Sequence, residues 1–131
     1  MQAEGMLDHK TVLVVDDAPL NRKLIRTILG TRKIRVVEAE NAEQALELIR
    51  DRRPNLVLMD LQLPGLNGLE ATGKLKSNPA TRDIPVVILS AGSVQEDDTE
   101  MRNAGCAGLI LKPFGAVDFL NTVTSFLQDT D

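Results

Sequence analysis

The segment Lys10–Arg22, KTVLVVDDAPLNR, decides the fold. Its residues from Thr11 to Val15 favour a β-strand, and they lead directly into two adjacent carboxylates, Asp16 and Asp17. Like charges at the end of a buried strand repel each other and resist burial. A pair in this place therefore calls for a chemical explanation as well as a structural one.

Short apolar runs of the same kind recur along the chain and predict five strands. They are nearly continuous rather than alternating, which is typical of strands buried on both faces of a sheet. The runs span Thr11–Val15, Ile34–Val37, Leu56–Met59, Val86–Leu89 and Leu109–Leu111.

Segments with helical spacing separate these runs. In the first helix, Pro19 suits the opening turn, and the apolar stripe consists of Leu20, Leu24 and Ile28 with Ile25 and Leu29 beside them. In the second helix, Asn41 is the predicted N-cap with Gln44 as its capping-box partner, and the stripe consists of Ala42, Ala45, Leu46 and Ile49. Three further helices are predicted over Gly68–Lys76, Gln95–Ala104 with Gly105 as its stop, and Ala116–Gln128.

Strand and helix therefore alternate five times, which predicts a doubly wound α/β domain. In such a domain a parallel sheet carries helices on both faces, because each crossover places a helix over the sheet. Ligands of these folds bind at the carboxyl ends of the strands. We expect one domain over residues 10–128, a loosely attached tail over 1–9 and a short polar tail over 129–131.

Composition excludes several function classes. The net charge of −4 argues against nucleic-acid binding, and the longest apolar runs, about five residues, are too short to span a membrane. The first ten residues contain no apolar segment of a signal peptide. A single cysteine, Cys106, excludes an internal disulfide and is expected to be a small buried residue. We expect a cytoplasmic protein.

Polar residues of matching chemistry close the predicted strands. The first strand leads into Asp16 and Asp17, the third into Asp60, the fourth into Ser90 and the fifth into Lys112, whereas the second ends less distinctively in Glu38 and Ala39. Taken singly, each has an ordinary role, such as capping the next helix. Since all of them belong to one edge of one sheet, a shared function is the better interpretation.

The chemistry of that set points to a magnesium site and phosphoryl transfer. Three clustered carboxylates carry a charge of −3, and Mg²⁺ together with Lys112 would balance it. A carboxylate in such a site can attack phosphorus and form an aspartyl phosphate. The metal and the lysine would then neutralise the oxygens of the transferring group, and Ser90 would donate to it.

The segments VVDD, LMDLQLPGLNG, LSAG and LKPF, in this order and at these strand ends, resemble the receiver domain of bacterial two-component response regulators. The resemblance covers about Lys10 to Gln128 and implies a flavodoxin-like sheet of strand order 2-1-3-4-5. It implies phosphorylation of Asp60 by a phosphohistidine on a sensor kinase or phosphotransfer protein. The residues implied to bind Mg²⁺ (or Mn²⁺) are Asp17 directly, Asp16 mainly through water, Asp60, and Gln62 through its backbone carbonyl.

The same resemblance implies roles for the remaining strand ends. Ser90 would be the hydroxyl that responds to phosphorylation, Ala91 its small neighbour, and Lys112 the lysine at the phosphate, followed by a cis bond to Pro113. Receivers commonly carry Tyr or Phe where this chain has Leu109, so the aromatic part of the usual switch is missing. Gly65 and Gly68 are predicted turn residues.

These observations predict a stand-alone receiver that catalyses only its own phosphorylation and dephosphorylation. Its output would be altered binding of a downstream protein or relay of the phosphoryl group. A receiver cut from a longer hybrid kinase or regulator would have the same sequence. A phosphatase of the haloacid-dehalogenase type is disfavoured, because its acid would be an aspartate where this chain has Gln62. A degenerate docking module is disfavoured by the complete set of polar residues.

Overall fold

The computed structural model describes residues 10–91 and 102–128. In these ranges five strands form one parallel sheet of order β2-β1-β3-β4-β5, which confirms the predicted topology. The strands are β1 Thr11–Val15, β2 Arg35–Ala39, β3 Leu56–Asp60, β4 Val86–Ser90 and β5 Gly108–Leu111. The helices are α1 Pro19–Gly30, α2 Ala42–Arg52, α3 Gly68–Lys76 and α4 Ala116–Gln128.

The central strands β1, β3 and β4 are buried on both faces, as their continuous apolar runs predict, whereas the edge strands β2 and β5 are only partly buried. In β1, Val12 and Val14 pack in the core beneath α1 and α4, whereas Leu13 and Val15 pack in the core beneath α2 and α3. All four side chains are at most 1% exposed. Because successive side chains of a strand point to opposite faces, one apolar run supplies both cores.

The prediction for α1 is right in placing Pro19 in the first turn and wrong in part of the apolar stripe. Ile25, Ile28 and Leu29 are buried, but Leu20 is 79% exposed and Leu24 is 50% exposed. A step of four residues turns an α-helix by about 40° beyond one full turn. Two such steps before Ile28 therefore carry Leu20 and Leu24 away from the sheet and into solvent.

Side chains at the helix starts confirm one predicted cap and add another. The Asn41 side chain accepts the N–H of Gln44, whereas the Gln44 side chain accepts the N–H of Glu40 rather than that of the cap itself. Helix α3 begins with a complete capping box between Asn67 and Glu70, which had not been predicted. These bonds satisfy N–H groups that have no partner within the helix.

Parts of the sequence prediction lie outside the described residues. These are both tails and most of the predicted helix Gln95–Ala104, of which residues 102–104 are described and helical. Gly105, its predicted stop, has a left-handed φ of 94° and donates its N–H to the carbonyl of Arg102. No helix in the described ranges is long and apolar enough to cross a membrane.

Candidate functional site

The carboxyl ends of β1 and β3 bring together the three predicted carboxylates. One oxygen each of Asp16, Asp17 and Asp60 lies within 4.8 Å of the other two. Asp16 is fully buried and Asp60 is 8% exposed, whereas Asp17 faces solvent. The alternative that Asp16 and Asp17 act as N-caps of α1 is wrong, because the N-cap residue is Ala18 and has no side-chain capping bond.

Lys112 is the counter-charge of this cluster. Its Nζ lies 3.1 Å from Oδ2 of Asp60 and 3.4 Å from Oδ2 of Asp16. The lysine directly follows β5, and its backbone N–H donates to the carbonyl of Ser90 at 2.8 Å. The Lys112–Pro113 peptide bond is cis, as the resemblance had implied.

Asp60 is held in a partly desolvated position. Burial, the largest influence, raises the pKa of its carboxyl; Lys112 lowers it through a hydrogen bond and its charge, the charge of Asp16 raises it, and the N–H of Gln62 lowers it. That N–H lies 3.2 Å from Oδ1 of Asp60. The carboxylate is therefore oriented from two sides, while burial disfavours its ionised form.

A glycine allows the backbone of Asp60 to approach α3. A Cβ on Gly68 would lie 2.4 Å from the carbonyl oxygen of Asp60, so no larger residue fits here without movement. Gly68 is the first residue of α3 rather than a turn residue, and its N–H donates to the carbonyl of Leu61. Gly65, the other predicted turn residue, has a left-handed φ of 75°.

Ser90, the residue predicted to respond to phosphorylation, ends β4 beside β5, and its predicted small neighbour Ala91 follows the strand. Ser90 is 2% exposed, and Ala91 is exposed and lines a groove that also reaches Asp16 and Lys112. This groove has a volume of about 410 Å³ and is walled on its apolar side by Leu24, Ile25, Pro113 and Phe114. Small molecules and side chains can therefore approach the cluster between α1 and the segment after β5.

Leu109 and Cys106 belong to the core rather than to the cluster. Both are half-buried and pack against the apolar residues beneath α2 and α3. Burial raises the pKa of the Cys106 thiol, although contact with Thr72 and the charge of Lys76 lower it. A raised pKa keeps the thiol protonated, which fits the structural role predicted for this residue.

The sequence interpretation missed two polar residues that contact Asp16. The side chain of Asn21 donates to Oδ2 of Asp16 at 3.2 Å, and the guanidinium of Arg22 donates to its backbone carbonyl at 2.7 Å. Arg22 also pairs with Glu38 at the end of β2. The available signal was their position one helical turn after the acidic pair, but nothing local indicates which strand Arg22 would meet.

The donor set fits a divalent metal ion with a preference for oxygen. Carboxylates from two strand ends converge, and one of them, Asp17, faces solvent. Hard oxygen ligands and room for retained water are what Mg²⁺ requires. The −3 charge of the carboxylates is only partly balanced by Lys112, so a dication is electrostatically favoured here.

Comparison with known proteins agrees with this geometry. The family model described as "Response regulator receiver domain" matches residues 12–124. The "Polar-differentiation response regulator DivK" of Brucella anthropi is 38% identical over 120 residues, which cover 92% of this chain and 98% of the relative. DivK of Brucella ovis is 37% identical with the same coverage.

Solved structures show the same architecture. A putative response regulator from Chloroflexus aurantiacus superposes with a TM-score of 0.86 at 25% identity, covering 91% of this chain and 98% of that one. The receiver domain of a signal transduction histidine kinase from Syntrophus aciditrophicus superposes with a TM-score of 0.84 at 26% identity, covering 91% and 90%. The chain therefore belongs to the family of response regulator receiver domains of two-component signalling.

Proposed function

We propose that Asp60 accepts a phosphoryl group from a phosphohistidine on a sensor histidine kinase or a histidine phosphotransfer protein. The observation that carries the proposal is the placement of the Asp60 carboxylate. It is nearly buried, lies 3.1 Å from the Lys112 ammonium, and shares its site with Asp16 and Asp17. Buried acids are rarely clustered in this way unless the cluster has a function.

Receiver domains of this family bind Mg²⁺ in an acidic pocket, and this chain has such a cluster. Asp17, Asp60 and the backbone carbonyl of Gln62 would hold Mg²⁺ (or Mn²⁺) directly, and Asp16 would hold it mainly through water. When bound, the ion neutralises the carboxylates and the negative charge on the phosphoryl oxygens.

Asp60, Lys112 and Ser90 have different roles in the transfer of the phosphoryl group. A carboxylate oxygen of Asp60 forms the new bond to phosphorus, the P–N bond of the donor breaks, and the imidazole leaves with the electron pair and takes up a proton. Lys112 holds Asp60 in place and then stabilises the charge on the phosphoryl oxygens. Ser90, at the adjacent strand end, donates a hydrogen bond to the phosphoryl group after it has arrived.

The output follows from the new hydrogen bonds. Movement of Ser90 and Ala91 towards the phosphoryl group would change the surface next to β4, and a downstream protein would read that change or receive the phosphoryl group in a relay. Such a receiver catalyses only its own phosphorylation and dephosphorylation, in the cytoplasm. The relative named DivK from Brucella anthropi is a polar-differentiation response regulator, and the match spans 98% of its length, which supports a signalling role for this receiver.

The test is transfer from a defined phosphohistidine. The chain is incubated with phosphorylated histidine kinases and phosphotransfer proteins one at a time, with and without Mg²⁺, and intact mass is measured. We expect one phosphoryl group per chain, only with Mg²⁺, and fastest from one donor. No transfer from any donor, together with no labelling by acetyl phosphate, would contradict the proposal.

A further inference from the structure

Asp16 is anchored at every group that can form a hydrogen bond. Its N–H donates to the carbonyl of Ala39, and its Oδ1 accepts the N–H of Ala18 at 2.9 Å. Its Oδ2 accepts from the Asn21 amide at 3.2 Å, and its backbone carbonyl accepts from Nη1 of Arg22 at 2.7 Å. Both residues that reach back to Asp16 lie in the first turn of α1.

Arg22 is itself fixed by the neighbouring strand. Its Nε lies 3.0 Å from Oε1 of Glu38, and its side chain is 13% exposed. Glu38 also pairs with Arg26, one turn further along α1, whose side chain is 50% exposed. A continuous chain of polar contacts therefore runs from β2 through Glu38 and Arg22 to the backbone of Asp16.

The adjacent carboxylate is treated differently. Among residues 10–91 and 102–128, no side-chain hydrogen bond or ion pair reaches Asp17, and its side chain faces solvent. Asp16 is thus oriented by the protein, whereas Asp17 is free to adapt. The first turn of α1 therefore contacts Asp16 through two side chains and makes no such contact with the adjacent Asp17.

From these contacts we infer that Asn21 and Arg22 are positioning residues for Asp16, and that Glu38 holds Arg22 in place. The inference rests on the proposed function, in which Asp16 helps to bind Mg²⁺. Outer contacts of this kind orient the groups around a metal ion, and losing one typically weakens metal affinity about 10- to 100-fold.

Competition for Oδ2 of Asp16 explains why Asn21 is needed. Asn21 and Lys112 reach this one oxygen from 3.2 Å and 3.4 Å. Without the amide, the carboxylate would turn towards the ammonium and form a closer ion pair. Asp16 would then be engaged by Lys112 instead of facing the cation site.

The simpler explanation is that the contact of Arg22 with Glu38 only ties α1 to β2. That explanation predicts a loss of stability without a change in metal affinity. Arg26 provides the matched control, because Arg26→Gln removes the same charge and a contact with the same carboxylate. Arg22→Lys keeps the charge, but it lacks the planar, two-nitrogen fork with which Arg22 contacts Glu38 through Nε and the Asp16 carbonyl through Nη1.

The experiment is a calorimetric titration of the full chain with MgCl2, with thermal unfolding to verify that each variant is folded. We expect Asn21→Ala, Arg22→Gln and Arg22→Lys to weaken Mg²⁺ binding by about tenfold or more, while Arg26→Gln stays close to wild type. Asn21→Ala is compatible with the helix, since alanine has the best helix propensity.

Three outcomes would overturn the inference. If the variants lose stability but bind Mg²⁺ like wild type, the contacts are structural only. If Arg22→Gln and Arg26→Gln change the affinity by the same factor, the effect is one of charge and not of position. If the wild-type chain does not bind Mg²⁺, the proposed function fails as well, which distinguishes that result from the first two.

Discussion

At the amino edge of the sheet, where the strands begin, polar side chains satisfy the backbone. The Asn55 side chain accepts the N–H of Thr11 at 2.8 Å. The Lys76 ammonium donates to the carbonyls of Arg82 and Ile84 at 3.0 and 2.8 Å. Each contact supplies a partner to a backbone group at the start of a strand or in the segment before it, so these residues stabilise the fold.

At the carboxyl edge, polar side chains are instead placed against one another. Asp16 and Asp60 share the Lys112 ammonium, and Asp17 adds a third negative charge. Burial raises the pKa of Asp60 in spite of that ammonium, so the ionised site works against the fold. The comparison teaches that polar residues stabilise the fold at the amino edge, whereas the ionised Asp60 carboxylate destabilises it at the carboxyl edge, to which the proposed chemistry belongs.

The largest expected difference between the edges is in phosphorylation. Asp60→Asn should reduce Mg²⁺-dependent labelling by acetyl phosphate by at least about a thousandfold, because an amide is not a nucleophile towards phosphorus. Asn55→Ala, at the amino edge, should be labelled like wild type. Intact-mass measurement over time checks both, and wild-type labelling of Asp60→Asn would exclude Asp60 as the acceptor.

Removing one lysine from each edge distinguishes the effect of charge at the carboxylate cluster on Mg²⁺ affinity from the effect of the net charge of the protein. Lys112→Ala leaves the carboxylates more negative, so Mg²⁺ should bind more tightly by about 1 kcal/mol, which is roughly fivefold. Lys76→Ala removes the same charge far from the cluster and should leave Mg²⁺ affinity unchanged. Calorimetric titration measures both constants; weaker binding by Lys112→Ala would show that the lysine helps to assemble the metal site.

Removing a polar group from each edge should change the free energy of unfolding in opposite directions. Without metal at neutral pH, Asp60→Asn should raise the free energy of unfolding, because the buried Asp60 carboxyl has a raised pKa in the folded state. Between its ordinary and its raised pKa the folded chain binds a proton that the unfolded chain does not, so wild-type stability falls as pH rises. The advantage of the variant should therefore vanish below the ordinary carboxyl range.

The matched change at the amino edge is Asn55→Ala, which should cost about 1 kcal/mol at all these pH values, since it leaves the Thr11 N–H without its acceptor. Urea unfolding of both variants across the pH range provides the measurement. A less stable Asp60→Asn protein at neutral pH would mean that the ion pair with Lys112 outweighs burial.

The smallest expected effect is the rearrangement that carries the signal. Leu109 packs in the core beneath α2 and α3 and has no polar group to reorient. Adding beryllofluoride with Mg²⁺ should therefore shift amide resonances most between Ser90 and Ala104, and less in α4. One or two charge-assisted hydrogen bonds, worth a few kcal/mol, suffice for such a shift in population. Larger shifts at Leu109 and in α4 would mean that β5 and α4, rather than the segment from Ser90 to Ala104, carry the rearrangement.

Local patterns in the sequence determined the elements and the chemistry of the site. Continuous apolar runs predicted five strands buried on both faces, and alternation with helices predicted the parallel sheet that the structure shows. Because all strands of such a sheet end at the same edge, the closing residues Asp16, Asp60 and Lys112 could be grouped before any coordinates were known. These inferences depend only on periodicity and chain direction.

Only the tertiary structure decided which neighbours these residues meet. The sequence could not indicate that Leu24 faces solvent while Ile25 faces the sheet, since both fit a helical period. It could not indicate that Arg22 would reach Glu38, because that contact depends on β2 lying beside β1. The period of apolar residues is a property of neighbouring residues in the sequence. Contacts between distant residues are instead set by the strand order and by the rotation of each helix on the sheet.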